Sequence, residues 1–371
     1  MSAQILKKSD FDQLIKALQN AGYDVYGPQV KDGAIVFDLL ESASQLPQNY
    51  SDEQQPGHYH LIKTQNHQQN SRWFSWANTA QGIKPFVFSP TETLWSVKKM
   101  RSGEISFDDT QISEKPKAII GVRNCDLAAL DLQDQHFLKQ THVDPYYKTR
   151  RQNLLLVAVN CTHPAQTCFC QSTGDGPIVQ SRFDLVLDEL DAGFVIKAGS
   201  NMGEKLLNTL PLTMASHFQQ TQLRKQHDEV KNIKMPSLPA INIKHALKKS
   251  FDNHYWETVA QHCLACGNCT SVCPTCFCYS EQDKTELDGS SSTHIRQWDS
   301  CFNSSHSYIH GIVVRSETKF RYRQWLTHKF SGWFDQYGRS GCVGCGRCTT
   351  WCPVGIDVIN SIKNVCEVSD E

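Results

Sequence analysis

The first 124 residues of this 371-residue chain contain no cysteine, and the chain has neither a long apolar run nor an excess of one charge. The longest uninterrupted apolar segment, Leu154–Val159, is far shorter than the ~18 residues that a membrane-spanning helix needs. Lysine and arginine number 37, aspartate and glutamate 38, which leaves a formal net charge of -1. This balance argues against a dedicated binder of nucleic acid or of other polyanions.

Several sequence signatures are also missing. The amino-terminal segment lacks the apolar core of a signal peptide, so we expect a cytoplasmic protein without a membrane span. No Gly-x-Gly-x-x-Gly follows a predicted strand, and neither a P-loop nor a Cys-x-x-Cys-His haem site occurs. No grouping of nucleophile, base and oxyanion donors is evident. We therefore predict a chain without catalytic residues of its own.

What the chain does have is 16 cysteines in two groups. Four lie between Cys125 and Cys170, and twelve lie between Cys263 and Cys366. In a reducing compartment such a number is rarely used for disulfides, and a chain of this length does not need them to fold. Thiolates that bind metal are the physical alternative.

Two segments of the carboxyl-terminal part share the run Cys-x2-Cys-x2-Cys-x3-Cys-Pro. The first cysteine run spans Cys263–Pro274 and the second spans Cys342–Pro353. In such runs three thiolates hold one [4Fe-4S] cluster, and the fourth cysteine ligates the other cluster. We therefore assign Cys263, Cys266, Cys269 and Cys352 to cluster 1, and Cys342, Cys345, Cys348 and Cys273 to cluster 2. Two zinc sites are the alternative, but zinc motifs of this type come in pairs of cysteines rather than in triplets followed by Cys-Pro.

The earlier cysteines follow two predicted strands. Residues 118–122 and 154–159 are short apolar runs typical of strands buried on both faces, and residues 126–138 predict a crossover helix between them. If these strands are parallel neighbours, Cys125 and Cys161 emerge at the same edge of the sheet, where Cys168 and Cys170 can fold back. We predict that these four thiols hold a third [4Fe-4S] cluster. A zinc site and thiols without metal are the alternatives.

Other elements complete the predicted fold. A helix capped by Ser9 carries Phe11, Leu14, Ile15 and Leu18 on one face and ends at Gly22. Further strands are predicted at residues 34–37, 86–88, 184–187 and 194–196. A polar stretch before residue 240 predicts a surface connection between domains. We expect an α+β or α/β chain, with an α/β domain at residues 1–240 and a mainly helical, ferredoxin-like dicluster domain at residues 241–371.

The long segment between the two cysteine runs has features of its own. It contains Cys276, Cys278 and Cys301, which we interpret, together with Cys366, as packing thiols, with metal ligation as the alternative. It also contains the basic and aromatic run 319–330. We interpret this run as a solvated helix whose aromatic rings cover the domain, with docking of a redox partner or tuning of the cluster potential as the alternatives.

Four further elements carry a resemblance to a known family. They are Gly121–Asp126, Thr167–Cys170, Pro274–Cys278 and Gln297–Cys301. With these elements, most of residues 85–360 resembles the beta subunit of cytoplasmic [NiFe] sulfhydrogenases and is similar also to the dicluster electron-transfer subunit of anaerobic sulfite reductase. The cysteine runs alone occur in many ferredoxins, so the Pro-Thr-Cys-Phe-Cys and Trp-Asp-Ser-Cys elements make the resemblance specific.

The resemblance implies an iron-sulfur electron-transfer subunit. Its partners would be a flavin- and NAD(P)-binding subunit and either the small and large subunits of a [NiFe] hydrogenase or a sirohaem-bearing sulfite reductase subunit. A metal-bearing regulatory or nucleic-acid-binding protein is the alternative, for which the basic residues around Arg321 are the support.

Overall fold

The computed structural model describes residues 3–64, 72–109 and 115–367. Within these ranges an α/β part is followed by a mainly helical region that contains both cysteine runs. The predicted fold class is therefore confirmed. None of the described helices is both long and apolar enough to cross a membrane.

The strands are named in chain order. They are β1 (Gln4–Lys7), β2 (Asp24–Lys31), β3 (Ala34–Leu39), β4 (Tyr50–Gln55), β5 (His58–Lys63), β6 (Thr91–Lys99), β7 (Ile105–Asp109), β8 (Lys117–Val122), β9 (Leu154–Val159), β10 (Leu185–Leu190), β11 (Gly193–Ala198), β12 (Thr213–Met214), β13 (Tyr279–Thr285), β14 (Ser291–Trp298), β15 (Tyr308–Ile309) and β16 (Ile312–Val313).

The helices follow the same convention. They are α1 (Phe11–Asn20), α2 (Lys84–Val87), α3 (Asn124–Leu138), α4 (Pro145–Gln152), α5 (Cys170–Thr173), α6 (Asn201–Leu207), α7 (His217–Lys231), α8 (Ile243–Lys249), α9 (Tyr255–His262), α10 (Asn268–Ser271), α11 (Thr318–Thr327), α12 (Trp333–Tyr337), α13 (Arg347–Thr350) and α14 (Val358–Val365). A π-helical turn, His328–Gly332, joins α11 to α12.

Eight of the described strands form one mixed sheet, in the order β12-β1-β11-β10-β9-β8-β2-β3. The pairs β2–β8, β8–β9 and β9–β10 are parallel, and α3 and α4 connect β8 to β9. Leu155 and Val157 of β9 pack on the α1 side of the sheet, whereas Leu154 and Leu156 pack on the α3 side. The predicted β-α-β unit with strands buried on both faces is confirmed.

Two local predictions near the amino terminus are wrong. Ser9 does not cap α1, because it lies inside a 3-10 turn and Asp10 precedes the helix. Residues 86–88 do not form a strand, because α2 occupies Lys84–Val87 with Pro85 in its first turn. Proline is favoured at that position, since its missing N–H would have no partner within the helix.

A second sheet joins distant parts of the chain. Strands β13 and β14, from the segment between the two cysteine runs, pair with β6 and β7 in the order β13-β14-β6-β7. This antiparallel sheet therefore contains strands from both sides of residue 240. The division of the chain at residue 240 stays a prediction.

The carboxyl-terminal helices share an aromatic core. Tyr322, Trp325 and Phe330, from the basic and aromatic run, are buried there together with Trp256 of α9. The aromatic rings thus cover the core as expected. Lys329 of the same run is also buried, which a solvated helix does not predict.

Candidate metal centres

The loop after α9 arranges the first cysteine run around a small cavity. The four thiols predicted for cluster 1 line this first cavity: Cys263, Cys266, Cys269 and Cys352. Gly267, at the turn into α10, has φ +75°, and a side chain there would lie 3.0 Å from the Ser300 hydroxyl. Glycine at this position therefore lets the chain turn tightly around the cavity.

The rest of the wall of the first cavity is apolar. It includes Leu264, Phe302, Tyr322, Trp325, Val354, Ile356 and Val358. Burial raises the pKa of Cys263 and raises that of Cys269 well above its usual value. Soft thiol donors in an apolar wall fit an iron-sulfur cluster, whereas hard cations prefer oxygen ligands. A bound metal would hold these thiols in the deprotonated form that burial alone disfavours.

A second small cavity is lined by the other predicted set of thiols. Cys273, Cys342, Cys345 and Cys348 line it. Gly344 has φ +64°, and a side chain there would lie 2.6 Å from the backbone of Cys170. The Gly344 amide lies 3.4 Å from the Cys342 sulfur and donates to it. This loop thus offers a backbone donor to sulfur as well as the thiols.

The two cavities adjoin at Cys348, which lines both. Cys273 of the first run lies in the second cavity, and Cys352 of the second run lies in the first cavity. The structure thus brings together the eight thiols in the two crossed sets expected from sequence. Which thiols ligate which cluster stays a prediction.

A buried ammonium group lies beside Cys273. Lys329 Nζ donates to Thr275 Oγ1 at 2.8 Å, and the same oxygen is 3.2 Å from Cys273 Sγ. Burial disfavours the charged form of Lys329, but the thiols of Cys273 and Cys276 raise its pKa above the usual value. The hydrogen bond with Cys276 and the charge of Lys329 lower the pKa of Cys273 despite burial. This environment favours negative charge on the sulfur.

The third group lies at the predicted edge of the main sheet. Cys125 is in the first turn of α3 after β8, and Cys161 closely follows β9, the parallel neighbour of β8. Cys168 lies in the loop beyond, and Cys170 begins α5. Burial raises the pKa of Cys168 well above its usual value, and nearby Cys170 and Cys161 raise it further. Burial and Asp126 likewise raise the pKa of Cys125, with smaller effects from Cys345 and Cys170.

This third group packs against the second cysteine run. Cys168 Sγ is 3.7 Å from the Cys345 carbonyl oxygen, and the Phe169 amide donates to the Gly344 carbonyl at 2.8 Å. Among residues 3–64, 72–109 and 115–367, no three His, Cys, Asp or Glu side chains form a group suited to a single metal ion. A third cluster stays a prediction.

A buried ion pair joins the start of α3 to the second run. Arg347 donates to both carboxylate oxygens of Asp126 at 2.9 Å, and its Nε donates to the Thr79 carbonyl at 2.8 Å. Arg347 is next to Cys348, and Asp126 is next to Cys125. The sequence contained both residues within motifs, but nothing in it indicated that they pair.

The remaining cysteines lie outside the two cavities. Cys276 and Cys278 precede β13 and Cys301 follows β14, so the hairpin brings all three to its open end. Cys366 ends α14 and packs against the carboxyl-terminal core. Sequence reasoning treated all four as packing thiols.

Comparison with known proteins agrees with this arrangement. Residues 262–356 match the family model of a 4Fe-4S dicluster domain. The chain is 29% identical over 367 residues to Sulfhydrogenase 2 subunit beta of Pyrococcus furiosus, covering 96% of each chain. No solved structure matches. The predicted resemblance to sulfhydrogenase beta subunits is therefore confirmed, and with it an iron-sulfur protein of the electron-transfer type.

Proposed function

We propose that this chain is the iron-sulfur subunit of a cytoplasmic oxidoreductase complex. It relays electrons between a flavin- and NAD(P)-binding subunit and the catalytic part of the complex. We take this catalytic part to be the small and large subunits of a [NiFe] hydrogenase. The observation that carries the proposal is the meeting of two four-thiol cavities at Cys348. Similarity along nearly the whole chain to a sulfhydrogenase subunit supports it. A sulfite reductase complex is the alternative.

The chain's own residues suit a relay. When bound, a [4Fe-4S] cluster supplies one-electron transfer. The buried rings of Tyr322 and Trp325 line the first cavity, and Lys329 places positive charge beside the second. Cys348 lies in the wall between the cavities, so little protein separates them. This short separation favours electron transfer between the two sites.

The first cavity also lies closest to the surface. Cys266 is exposed, whereas Cys345, Cys161, Cys168 and Cys170 are buried. The neighbouring Leu264 is 63% exposed. These exposures support electron exchange with one partner at the first cavity, with the second cavity and the third group further inside.

The contacts of the basic run weaken the nucleic-acid alternative. Lys319 pairs with Glu257 and Glu317. Arg321 donates to the Phe302 carbonyl, and Arg323 donates to the Phe251 carbonyl. These cations are engaged by the protein itself, so they offer no free basic face for phosphates.

Anaerobic co-purification tests the proposed complex. The tagged chain is expressed with the genes encoded beside its own, and the subunits that copurify are identified. We expect a flavoprotein together with hydrogenase subunits, and NAD(P)H-dependent hydrogen formation. Sulfite reduction instead would favour the alternative complex, and copurification of nucleic acid without redox subunits would contradict the proposal.

The isolated chain provides a second test. Cluster-loaded protein should be reduced by a strong chemical reductant but not by NAD(P)H, since no dinucleotide-binding fingerprint occurs in the sequence. The measurement is bleaching of the cluster absorbance under each reductant. NAD(P)H-dependent dye reduction by the pure chain would require a nucleotide site within it and would contradict the relay.

A further inference from the structure

A surface groove lies behind the second cavity. We call it the Phe330 groove, and it is lined by the end of α5, residues 238–244, Phe330, Phe334, Arg339 and Ser340. Its volume is about 860 Å³. The Ser340 hydroxyl accepts a hydrogen bond from the amide of Cys342, a thiol of the second cavity, at 3.1 Å. The groove therefore reaches the outer side of the wall that encloses the second set of thiols.

The function proposed above requires two places at which electrons enter or leave the chain. The exposed Cys266 and Leu264 mark one of them at the first cavity. The phenyl ring of Phe330 lines both the Phe330 groove and the second cavity. A protein seated in the groove would therefore lie one side chain away from the second cavity, which makes the groove suitable as the second place of exchange.

The lining of the Phe330 groove suits a protein surface. Ile241 is 41% exposed and Phe334 is 38% exposed, so the groove offers apolar area to a partner. Its polar groups are already bonded within the chain: Arg339 donates to Asp175 at 2.9 Å, and the Ser340 hydroxyl donates to a backbone carbonyl at 3.2 Å. Sites for small molecules instead present polar groups that converge on the ligand. The lining therefore favours the apolar face of a protein partner.

The segment that forms one wall of the groove is strongly basic. Residues 231–249 contain five lysines and neither aspartate nor glutamate. Asp335, next to Phe334, pairs with both Lys244 and Lys248, so one carboxylate offsets two cations. The other three lysines are exposed, and within residues 3–64, 72–109 and 115–367 they pair with no carboxylate: Lys231, Lys234 and Lys249. An apolar groove with a basic border fits a partner whose apolar patch has an acidic border.

We propose that the Phe330 groove docks the second redox subunit of the complex, the one that does not bind at the first cavity. The docking face of this subunit is an apolar patch with an acidic border. The inference rests on the proposed function, because it assigns the second place of exchange that a relay needs. The basic border attracts the partner, and the Phe330 ring then lies between it and the second cavity.

Photo-crosslinking in the assembled complex tests the groove. The photoreactive residue benzoylphenylalanine replaces Ile241 in the groove, Leu264 at the first cavity or, as the control, Phe218. Phe218 lies near the start of α7, outside both places, and is 70% exposed. After irradiation, the cross-linked subunits are identified by mass spectrometry. We expect the residue at position 241 to capture one redox subunit, that at position 264 a different one, and that at position 218 neither.

Charge reversal tests the acidic border of the partner. Lys231→Glu combined with Lys234→Glu should lower the cross-linking yield at position 241 about tenfold and leave the yield at position 264 unchanged. Raising the salt concentration should lower the yield at position 241 as well. Lys16→Glu combined with Lys205→Glu, at exposed positions of α1 and α6, is the matched control and should change neither yield.

The outcomes separate this inference from the proposed function. If redox subunits copurify but position 241 captures none of them, captures the same subunit as position 264, or captures a second copy of this chain, the inference is overturned and the relay stands. A yield at position 241 that responds to neither salt nor charge reversal would overturn the acidic partner. If no redox subunit copurifies with the chain, the proposed function fails and the inference fails with it.

Discussion

Arg347 and Asp126, 221 residues apart in the sequence, form a fully buried ion pair with two hydrogen bonds of 2.9 Å. Arg347 belongs to the second cysteine run, and Asp126 follows the first thiol of the third group. Burial opposes the charge of Arg347, but Asp126 and the nearby thiols raise its pKa. The pair therefore fixes one predicted cluster site against another.

Removing one partner of this pair should destabilise the protein. Asp126→Asn leaves the Arg347 charge buried and uncompensated, which costs about 3–5 kcal/mol. In a chain of this size that corresponds to a fall in melting temperature of roughly 5 °C. Anaerobic calorimetry at one heating rate measures it. The double variant Asp126→Leu with Arg347→Met should recover most of the lost stability. Lys248→Met is the control, because it removes only an exposed pair with Asp335. Equal stability of Asp126→Asn and wild type would contradict the structural role.

Because each cavity takes its fourth thiol from the other cysteine run, substituting that thiol should perturb the cluster of the other run. Cys273→Ala should perturb the cluster held by Cys342, Cys345 and Cys348, and Cys352→Ala should perturb the cluster held by Cys263, Cys266 and Cys269. Electron paramagnetic resonance of the reduced variants, with Cys366→Ser as control, distinguishes the two signals. If each substitution damages only the cluster of its own run, the crossed assignment is wrong.

Iron and sulfide counts test the third group. With three [4Fe-4S] clusters the chain should contain about 12 iron and 12 sulfide, and Cys161→Ser should contain about eight of each. In the assembled complex the same variant should slow electron transfer from NAD(P)H to the terminal acceptor. Wild-type protein with about eight iron atoms would exclude a third cluster, and zinc at the remaining thiols would favour the structural alternative.

Lys329 should set the potential of the cluster in the second cavity. Its buried charge favours the more negative, reduced cluster, so Lys329→Met should lower the reduction potential by on the order of 60 mV, a tenfold change in a one-electron equilibrium. Redox titration followed by paramagnetic resonance measures the shift. Lys248→Met, on the surface, should leave the potential unchanged. An unaltered potential in Lys329→Met would mean that the ammonium charge is compensated elsewhere.

The elements that sequence predicted well are those specified by neighbouring residues. The apolar face of α1 and the continuous apolar runs of β8 and β9 have local periodicity, so their structure follows from short segments. The spacing within each cysteine run is likewise local, so the sequence alone predicts the two sets of four thiols that line the cavities. The strand predicted at residues 86–88 was wrong because Pro85 and the tertiary contacts of α2 outweighed its β-forming residues.

The charged residues of the site could not be predicted in the same way. Lys329 was interpreted as part of a solvated helix, since its partner Thr275 is 54 residues away. Arg347 and Asp126, which are 221 residues apart, likewise meet only through the fold. Contacts of this kind depend on the fold, and a single sequence carries no periodic signal for them.

The crossing of the two runs also constrains how the protein is made. Cys352 completes the wall of the first cavity, although the other thiols of that cavity are translated much earlier. On the crossed assignment, a nascent chain has only three of the four thiols proposed for cluster 1 until the second run has been synthesised. We therefore predict that cluster insertion follows synthesis of that run, and that a polypeptide terminated before it binds neither cluster completely.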